Sequence, residues 1–280
     1  MIATYSRSLI PTEDLSSRTY TIPNPYSMKS ILGYILRNGL RDRLYLGVFV
    51  TLVIAFCLSI FLGSTMMVEQ QQSTATFIAG SSRAILALGM ILFVCLSVAR
   101  SFENKEVEFI LSKSISRQEF ILAYLSGFFL AALLIFIPLI AAILIITKIQ
   151  LYGLLIWCAT LLSELAIVIS FSLLAALILK NPLAAIMASL SFYAISRLMG
   201  IFVLAIELPD NFLFPKSHFL AIILKIFSAV FPRLDLFAQS SWLNYPISDF
   251  TSLKIIFWQS LIYIPLLIFM SFHDFKKKQF

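Results

Sequence analysis

Charge is what this sequence has least of. Asp, Glu, Lys and Arg make up 12% of its 280 residues, while 60% are hydrophobic and Phe alone numbers 26. Soluble chains carry about 25% charged residues, and half that supply cannot cover a water-soluble globule. The mean hydropathy of +0.95 agrees. A cytosolic or secreted globule is excluded, and the composition reads as an integral membrane protein. Cysteine and histidine are scarce as well. Cys57, Cys95 and Cys158 fall inside apolar runs and His218 and His273 outside them. Neither a disulfide framework nor a Cys/His metal site is encoded, and no cofactor is expected. No GxxxxGKS/T phosphate loop, GxSxG or HExxH occurs. The chain therefore cannot hold ATP in the P-loop manner, and it is not expected to be an enzyme. A polar selectivity filter and an arginine ladder are also missing, which argues against a channel or a voltage sensor.

What is present is a series of long apolar runs. A helix needs about 20 apolar residues to cross the hydrocarbon. Six segments qualify: Leu44–Gly63, Ala84–Ala99, Phe120–Ile146, Leu151–Leu179, Leu183–Ile206 and Ile255–Phe272. The second is short, and Thr76–Gly80 can extend it outward. Pro138 and Pro265 fall inside the third and sixth spans. Membrane helices tolerate such prolines because neighbouring groups satisfy the freed carbonyl. The expected fold class is an all-α polytopic membrane protein: residues 1–26 form a flexible N-terminus and residues 27–280 a single transmembrane domain. No apolar core precedes the first span, so no cleavable signal peptide is expected.

The net charge of +7 need not mean nucleic acid, because multispanning chains gather Lys and Arg in cytoplasmic loops. With the N-terminus inside, the inner side holds Lys29, Arg37, Arg41, Arg43, Arg100, Lys105, Lys113, Arg117, Lys180, Lys276, Lys277 and Lys278. The outer side holds Arg83, Lys148, Lys216, Lys225, Arg233 and Lys254. Twelve against six places both termini in the cytoplasm.

Between the spans lie three informative pieces. Met28, Ile31, Leu32, Ile35, Leu36 and Leu40 share one helical face, with Lys29, Arg37 and Arg41 elsewhere on the surface. This predicts an N-terminal amphipathic helix on the inner membrane surface, with Ser27 as its cap. The loop between the second and third spans, residues 100–119, carries four basic and four acidic residues in RSFENKEVEFILSKSISRQE. Glu103–Leu111 can form a short helix, and Ser116 and Glu119 stand at capping-box spacing to start the third span. A bare connection needs only a few residues, so this loop is either a docking element or a solvated charge run. The outer loop, residues 207–254, contains a 14-residue apolar stretch, His218–Phe231, too short to span. It reads as a partial helix, re-entrant or interfacial. The aromatic run FPRLDLFAQSSWLNYP follows and is expected to fold back as an outer cap.

Glu164 and Arg197 are the two charges placed deep in spans. At about 1.5 Å per residue both sit roughly 21–23 Å above the inner side. Only Lys180, Asn181 and Pro182 join their two spans, which makes those spans antiparallel neighbours. The expectation is an intramembrane ion pair, either structural or lining a substrate path.

This layout resembles the permease subunits of ABC-2 type (type II exporter-like) ABC transporters, and within them the subgroup related to the nitrous-oxide-reductase maturation permease. The resemblance is carried by ILRNGLRDRLYLGVF (Ile35–Phe49), by FENKEVEFILSKSISRQEFILAYLSGF (Phe102–Phe128) and by FPRLD (Phe231–Asp235) before the last span. The sequence departs from the family at Ile115, near a usual Pro, and at Val107, near a usual Gly. The resemblance implies that Phe102–Glu119 is a coupling helix docking on a separate ABC ATPase subunit. Glu103, Glu106, Glu108, Lys113, Ser116 and Arg117 would engage the ATPase, while Val107 and Ile110 pack in its groove. It also implies export of a substrate through a dimer of permeases in the inner (cytoplasmic) membrane, with no nucleic-acid partner. Two other classes fit the same residues: a structural or assembly subunit of a membrane complex, and a membrane-embedded lipid-modifying enzyme.

Overall fold

Six helices take up the apolar runs: α1 (Arg43–Ser64), α2 (Gln70–Glu103), α3 (Arg117–Ile146), α4 (Leu151–Ile178), α5 (Pro182–Glu207) and α6 (Phe250–Lys277). Each is long and apolar enough to cross a membrane. In hydrocarbon every backbone group must be satisfied within the chain, which leaves the helix as the form these runs can take. The computed structural model describes residues 33, 43–66, 69–107, 116–146, 150–179, 181–207, 230–245 and 250–277. Among these there is no strand, and the protein is an all-helical, multi-pass membrane protein. Of the expected amphipathic helix, Gly33 alone is described, and it is helical. The rest of that helix, residues 1–26 and most of the partial helix at His218–Phe231 lie outside the described residues.

The helices alternate in direction, so Arg43, Glu103, Arg117, Ile178, Pro182 and Lys277 share one end of the bundle, here the loop end. The opposite end is the cap end. α4 is the central helix, with α2, α3, α5 and α6 all packed on it. Of its apolar window 72% is buried, against 17% in α1 and in α6. α1 leans chiefly on α2. Pro138 and Pro265 stand inside α3 and α6, both of which run on past them.

Aromatic side chains knit the half of the core towards the loop end. Tyr45, Phe93, Phe128, Tyr124, Phe120 and Phe275 follow one another with ring centroids 4.4–5.9 Å apart and link α1, α2, α3 and α6. Most of these contacts are tilted or edge-to-face, the arrangements aromatic quadrupoles prefer. The two hydroxyls in the series are satisfied: Tyr45 donates to the Ala131 carbonyl and Tyr124 to Ser101 Oγ.

Helix starts follow local chemistry. Glu119 N–H donates to Ser116 Oγ at 3.2 Å, and Ser116 N–H donates to Glu119 Oε2 at 3.0 Å. This is the reciprocal capping box expected from the sequence. Asn181 Oδ1 accepts from Leu183 N–H at 2.9 Å, with Pro182 as the first residue of α5, where its missing N–H costs nothing.

α2 departs from expectation. It begins at Gln70, about four turns before Ala84 and beyond the outward extension over Thr76–Gly80 that the sequence allows. The added sequence, QQQSTATFIAGSSR, is too polar to read as a span. Its hydroxyls nevertheless bond within the helix: Thr74 to the Gln70 carbonyl, Thr76 to Gln72 and Ser81 to Phe77. Such back-bonding hides polar groups locally, and Thr74, Ala75, Ile78, Ala79, Ser82 and Arg83 are buried. At its other end α2 runs through Glu103 and stops at Asn104–Lys105, where Lys105 takes a left-handed φ of 56°. The short helix expected over Glu103–Leu111 therefore does not start at Glu103. Glu106 and Val107 are helical again after the turn, and residues 108–115 lie outside the described residues.

Candidate functional site

Residues 230–245 fold over the cap end of the bundle, as the aromatic run predicts. Pro232, Leu234, Phe237, Ala238, Trp242 and Leu243 are buried. Short turns and the one-turn helix Ser241–Asn244 satisfy part of the segment's backbone internally. The remaining bonds reach the bundle. Leu234 N–H donates to the Ser196 carbonyl of α5 at 3.2 Å and Ala238 N–H to Thr160 Oγ1 of α4 at 3.3 Å. Asn244 Nδ2 donates to the Gln72 carbonyl and Thr76 Oγ1 of α2, and Gln259 Oε1 of α6 accepts from Arg233 N–H. The seat is close: a Cβ at Gly153 would run into the Trp242 carbonyl, and one at Gly200 would meet the Asp235 carboxylate at 2.5 Å. Glycine is what lets the cap approach the backbones of α4 and α5.

Beneath the cap lies a charge cluster built from three helices. Arg83 Nε of α2 is 2.7 Å from Glu164 Oε2 of α4, with side chains 6% and 0% exposed. The other two nitrogens of Arg83 point to the cap. Nη2 donates to the Leu234 carbonyl at 2.6 Å and Nη1 to the Ala238 carbonyl at 3.1 Å. Arg197 of α5 donates from Nη1 to the same Leu234 carbonyl at 3.0 Å. Arg197 and Tyr193, one turn apart on α5, also act on the Glu164 carboxylate. One carboxylate thus faces two guanidiniums, and a peptide oxygen takes up part of the excess positive charge. The cluster is polar but incompletely bonded. Ser196 Oγ of α5 and Asp235 Oδ1 of the cap are buried without a hydrogen-bond partner.

The expected ion pair between Glu164 and Arg197 is therefore corrected: the partner of Glu164 is Arg83. The reason is the longer α2. Assigned to an outer loop, Arg83 had no claim on a buried carboxylate; inside α2 it reaches Glu164 directly. Depth alone brought Glu164 and Arg197 into one neighbourhood without pairing them. The signal that could have revealed Arg83 was the run of Ser and Thr before it, which a helix can bury at little cost.

At the loop end the expected ATPase-coupling residues separate into two groups. Val107 is 1% exposed inside this chain's own core, so it cannot also be the apolar contact offered to a partner's groove. Ser116 caps α3. Arg117 Nη1 donates to the Phe275 and Lys276 carbonyls at 3.0 Å each, which ties the start of α3 to the C-terminal end of α6, where a cation is favoured. Glu103 is exposed and Glu106 partly exposed. Glu108, Ile110 and Lys113 lie outside the described residues.

What the cluster can do follows from its parts. It carries no nucleophile poised beside a base, and no group of three metal-binding side chains occurs among the described residues. It can hold the cap on the helices, and it can respond when they part. No protein-family model matches the sequence, and no curated protein is similar to it.

Proposed function

We propose that this chain is the transmembrane permease subunit of an ABC transporter, coupling ATP hydrolysis on a separate ATPase subunit to export across the cell membrane. The observation that carries the reading is the charged α2–α3 connection at the loop end. A left-handed stop at Asn104–Lys105 opens it, a capping box at Ser116–Glu119 closes it, and Arg117 anchors it to the end of α6. A rigid entry and exit suit a segment that transmits force, since small displacements at a docking site reach the spans only through well-fixed elements. The resemblance to ABC-2 permeases and the lack of a phosphate loop point the same way. Moving Arg83 from the outer loops into α2 leaves twelve basic residues on the loop side against five on the other, which supports cytoplasmic termini. The functional unit would be two permease chains with two ATPases. Glu103 and Glu106, with Glu108, Ile110 and Lys113, are the contact residues; Val107, Ser116 and Arg117 shape the segment from behind.

The test is affinity capture of the tagged full-length chain from its native membrane, with identification of the associated ATPase. Glu106→Lys with Glu108→Lys should reduce ATPase capture while membrane insertion stays unchanged, because charges at an interface rim govern association more than folding. Undiminished capture and activity would make the loop a solvated connection. Capture of a complex without any ATPase would favour an assembly subunit instead.

A further inference from the structure

We propose that residues 230–245 form a gate at the cap end, latched by Arg83 and Arg197 through the single Leu234 carbonyl. This does not rest on the ATPase reading. The latch is specific in its geometry. Arg83 comes from α2 and Arg197 from α5, and their N···O distances to that oxygen are 2.6 and 3.0 Å. Hydrogen bonds weaken steeply beyond about 3.5 Å, so parting α2 from α5 by about 1.5 Å breaks one bond or the other. The latch therefore reads the separation of two helices that both flank α4. The same separation weakens the other α5 contact, Leu234 N–H to the Ser196 carbonyl.

Two features keep the closed state from being a deep trap. Ser196 and Asp235 each leave a buried polar atom unpaired, and such atoms regain water when the cap lifts. Ala238, held on both sides by Arg83 and Thr160, sits at a φ of 42°, a conformation that costs a residue with a Cβ and is relieved on release. Glu164 donates nothing to the cap. It is a positioning residue that fixes Arg83 so that Nη1 and Nη2 face the two carbonyls.

Amide hydrogen exchange on the full-length chain in lipid nanodiscs tests the gate, since exchange reports local opening segment by segment. In Arg197→Gln the amides of 230–245 should exchange about tenfold faster, the loss of one charged hydrogen bond, with α3 and α6 unchanged; Arg83→Gln removes two such bonds and should accelerate them further. Glu164→Gln should act in the same direction although it removes no bond to the cap. Exchange in 230–245 within twofold of wild type in Arg197→Gln would overturn the latch, and so would equal acceleration of every helix, which would make the cluster a support for the whole bundle. A second arm leaves the buried charges in place. Thr76→Cys with Asn244→Cys, at side chains now 2.8 Å apart, should on oxidation slow exchange across 230–245 below wild type. An oxidised pair that exchanges at the wild-type rate would mean that the segment does not open as a unit.

Discussion

The two ends of this bundle use polar residues in opposite ways. At the loop end the capping bonds are local, Ser116 with Glu119 and Asn181 with Leu183, and the long-range pair made by Arg117 to the Phe275 and Lys276 carbonyls lies at or near the surface. At the cap end the long-range bonds are buried, with Arg83 bonded to carbonyls 151 and 155 residues away. Local polar bonds fix where a helix starts and can be lost one at a time. Long-range bonds between buried groups fix how elements sit on one another, and losing one strands its partner in a low-dielectric setting. The comparison implies that single polar substitutions weigh far more at the cap end.

The sharpest break should come from the ion pair. Glu164→Gln leaves the Arg83 charge buried without a counterion, a situation that typically costs about 3–5 kcal/mol. The expected result is reduced abundance in membranes and a lowered thermal midpoint in detergent. The double variant Arg83→Gln, Glu164→Gln should recover much of that loss, whereas Glu164→Gln with Arg197→Gln should not. Recovery by the second combination instead would return Arg197 to the role of counterion. Glu103→Gln at the loop end, an exposed change, should move the midpoint by less than about 0.5 kcal/mol equivalent.

Packing sharpens the same contrast. Gly153→Ala pushes a methyl group against the Trp242 carbonyl, which is backbone and cannot rotate aside, so a loss of about 1–3 kcal/mol is expected. Gly200→Ala meets only the Asp235 side chain and should cost less. Gly80→Ala, with nothing within 4 Å of the added atom, should be neutral or stabilising by up to about 1 kcal/mol because alanine favours the helix. Thermal unfolding of the three variants in one detergent gives the order directly.

The smallest effects belong to the loop end. Ser116→Ala removes a cap worth about 1 kcal/mol and should raise exchange only in the first turn of α3. Lys105→Gly relieves the left-handed φ of 56° and should stabilise by about 1 kcal/mol at most. A larger response to Ser116→Ala, spreading to α6, would show that Arg117 carries the cap's influence further than its own turn.

Most of the architecture was legible from composition and run length, because crossing hydrocarbon demands about 20 apolar residues and little else. The six spans, the tolerated Pro138 and Pro265, the Ser116–Glu119 box and the fold-back of the FPRLD segment all follow from rules that act within a few residues. An outward extension of α2 over Thr76–Gly80 was legible, but its start at Gln70 and the burial of Arg83 were not. Hydropathy charges Ser, Thr and Gln a full penalty, yet in α2 the Ser and Thr hydroxyls bond to the helix's own carbonyls. That one displacement hid Arg83 and led to the wrong partner for Glu164. Val107 was misplaced for a related reason: an apolar residue in a charged loop reads as a docking contact, while here the chain turns it into its own core. The pairing of Arg83 with Glu164, 234 and 238 leaves no periodic trace in sequence.

The length of α2 also bears on where the charge cluster sits in a bilayer. Its 34 residues at about 1.5 Å each span about 51 Å, well beyond a hydrocarbon layer of about 30 Å. With exposed Arg100 marking the loop-side edge, Arg83 stands 17 residues on, about 26 Å away. That places it only about 4 Å inside the opposite edge of an average hydrocarbon layer, close to the headgroups. A bilayer a few ångströms thicker would draw the cluster into hydrocarbon, and a thinner one would leave it wet. How firmly residues 230–245 are held thus becomes a property of the host lipid as well as of the chain.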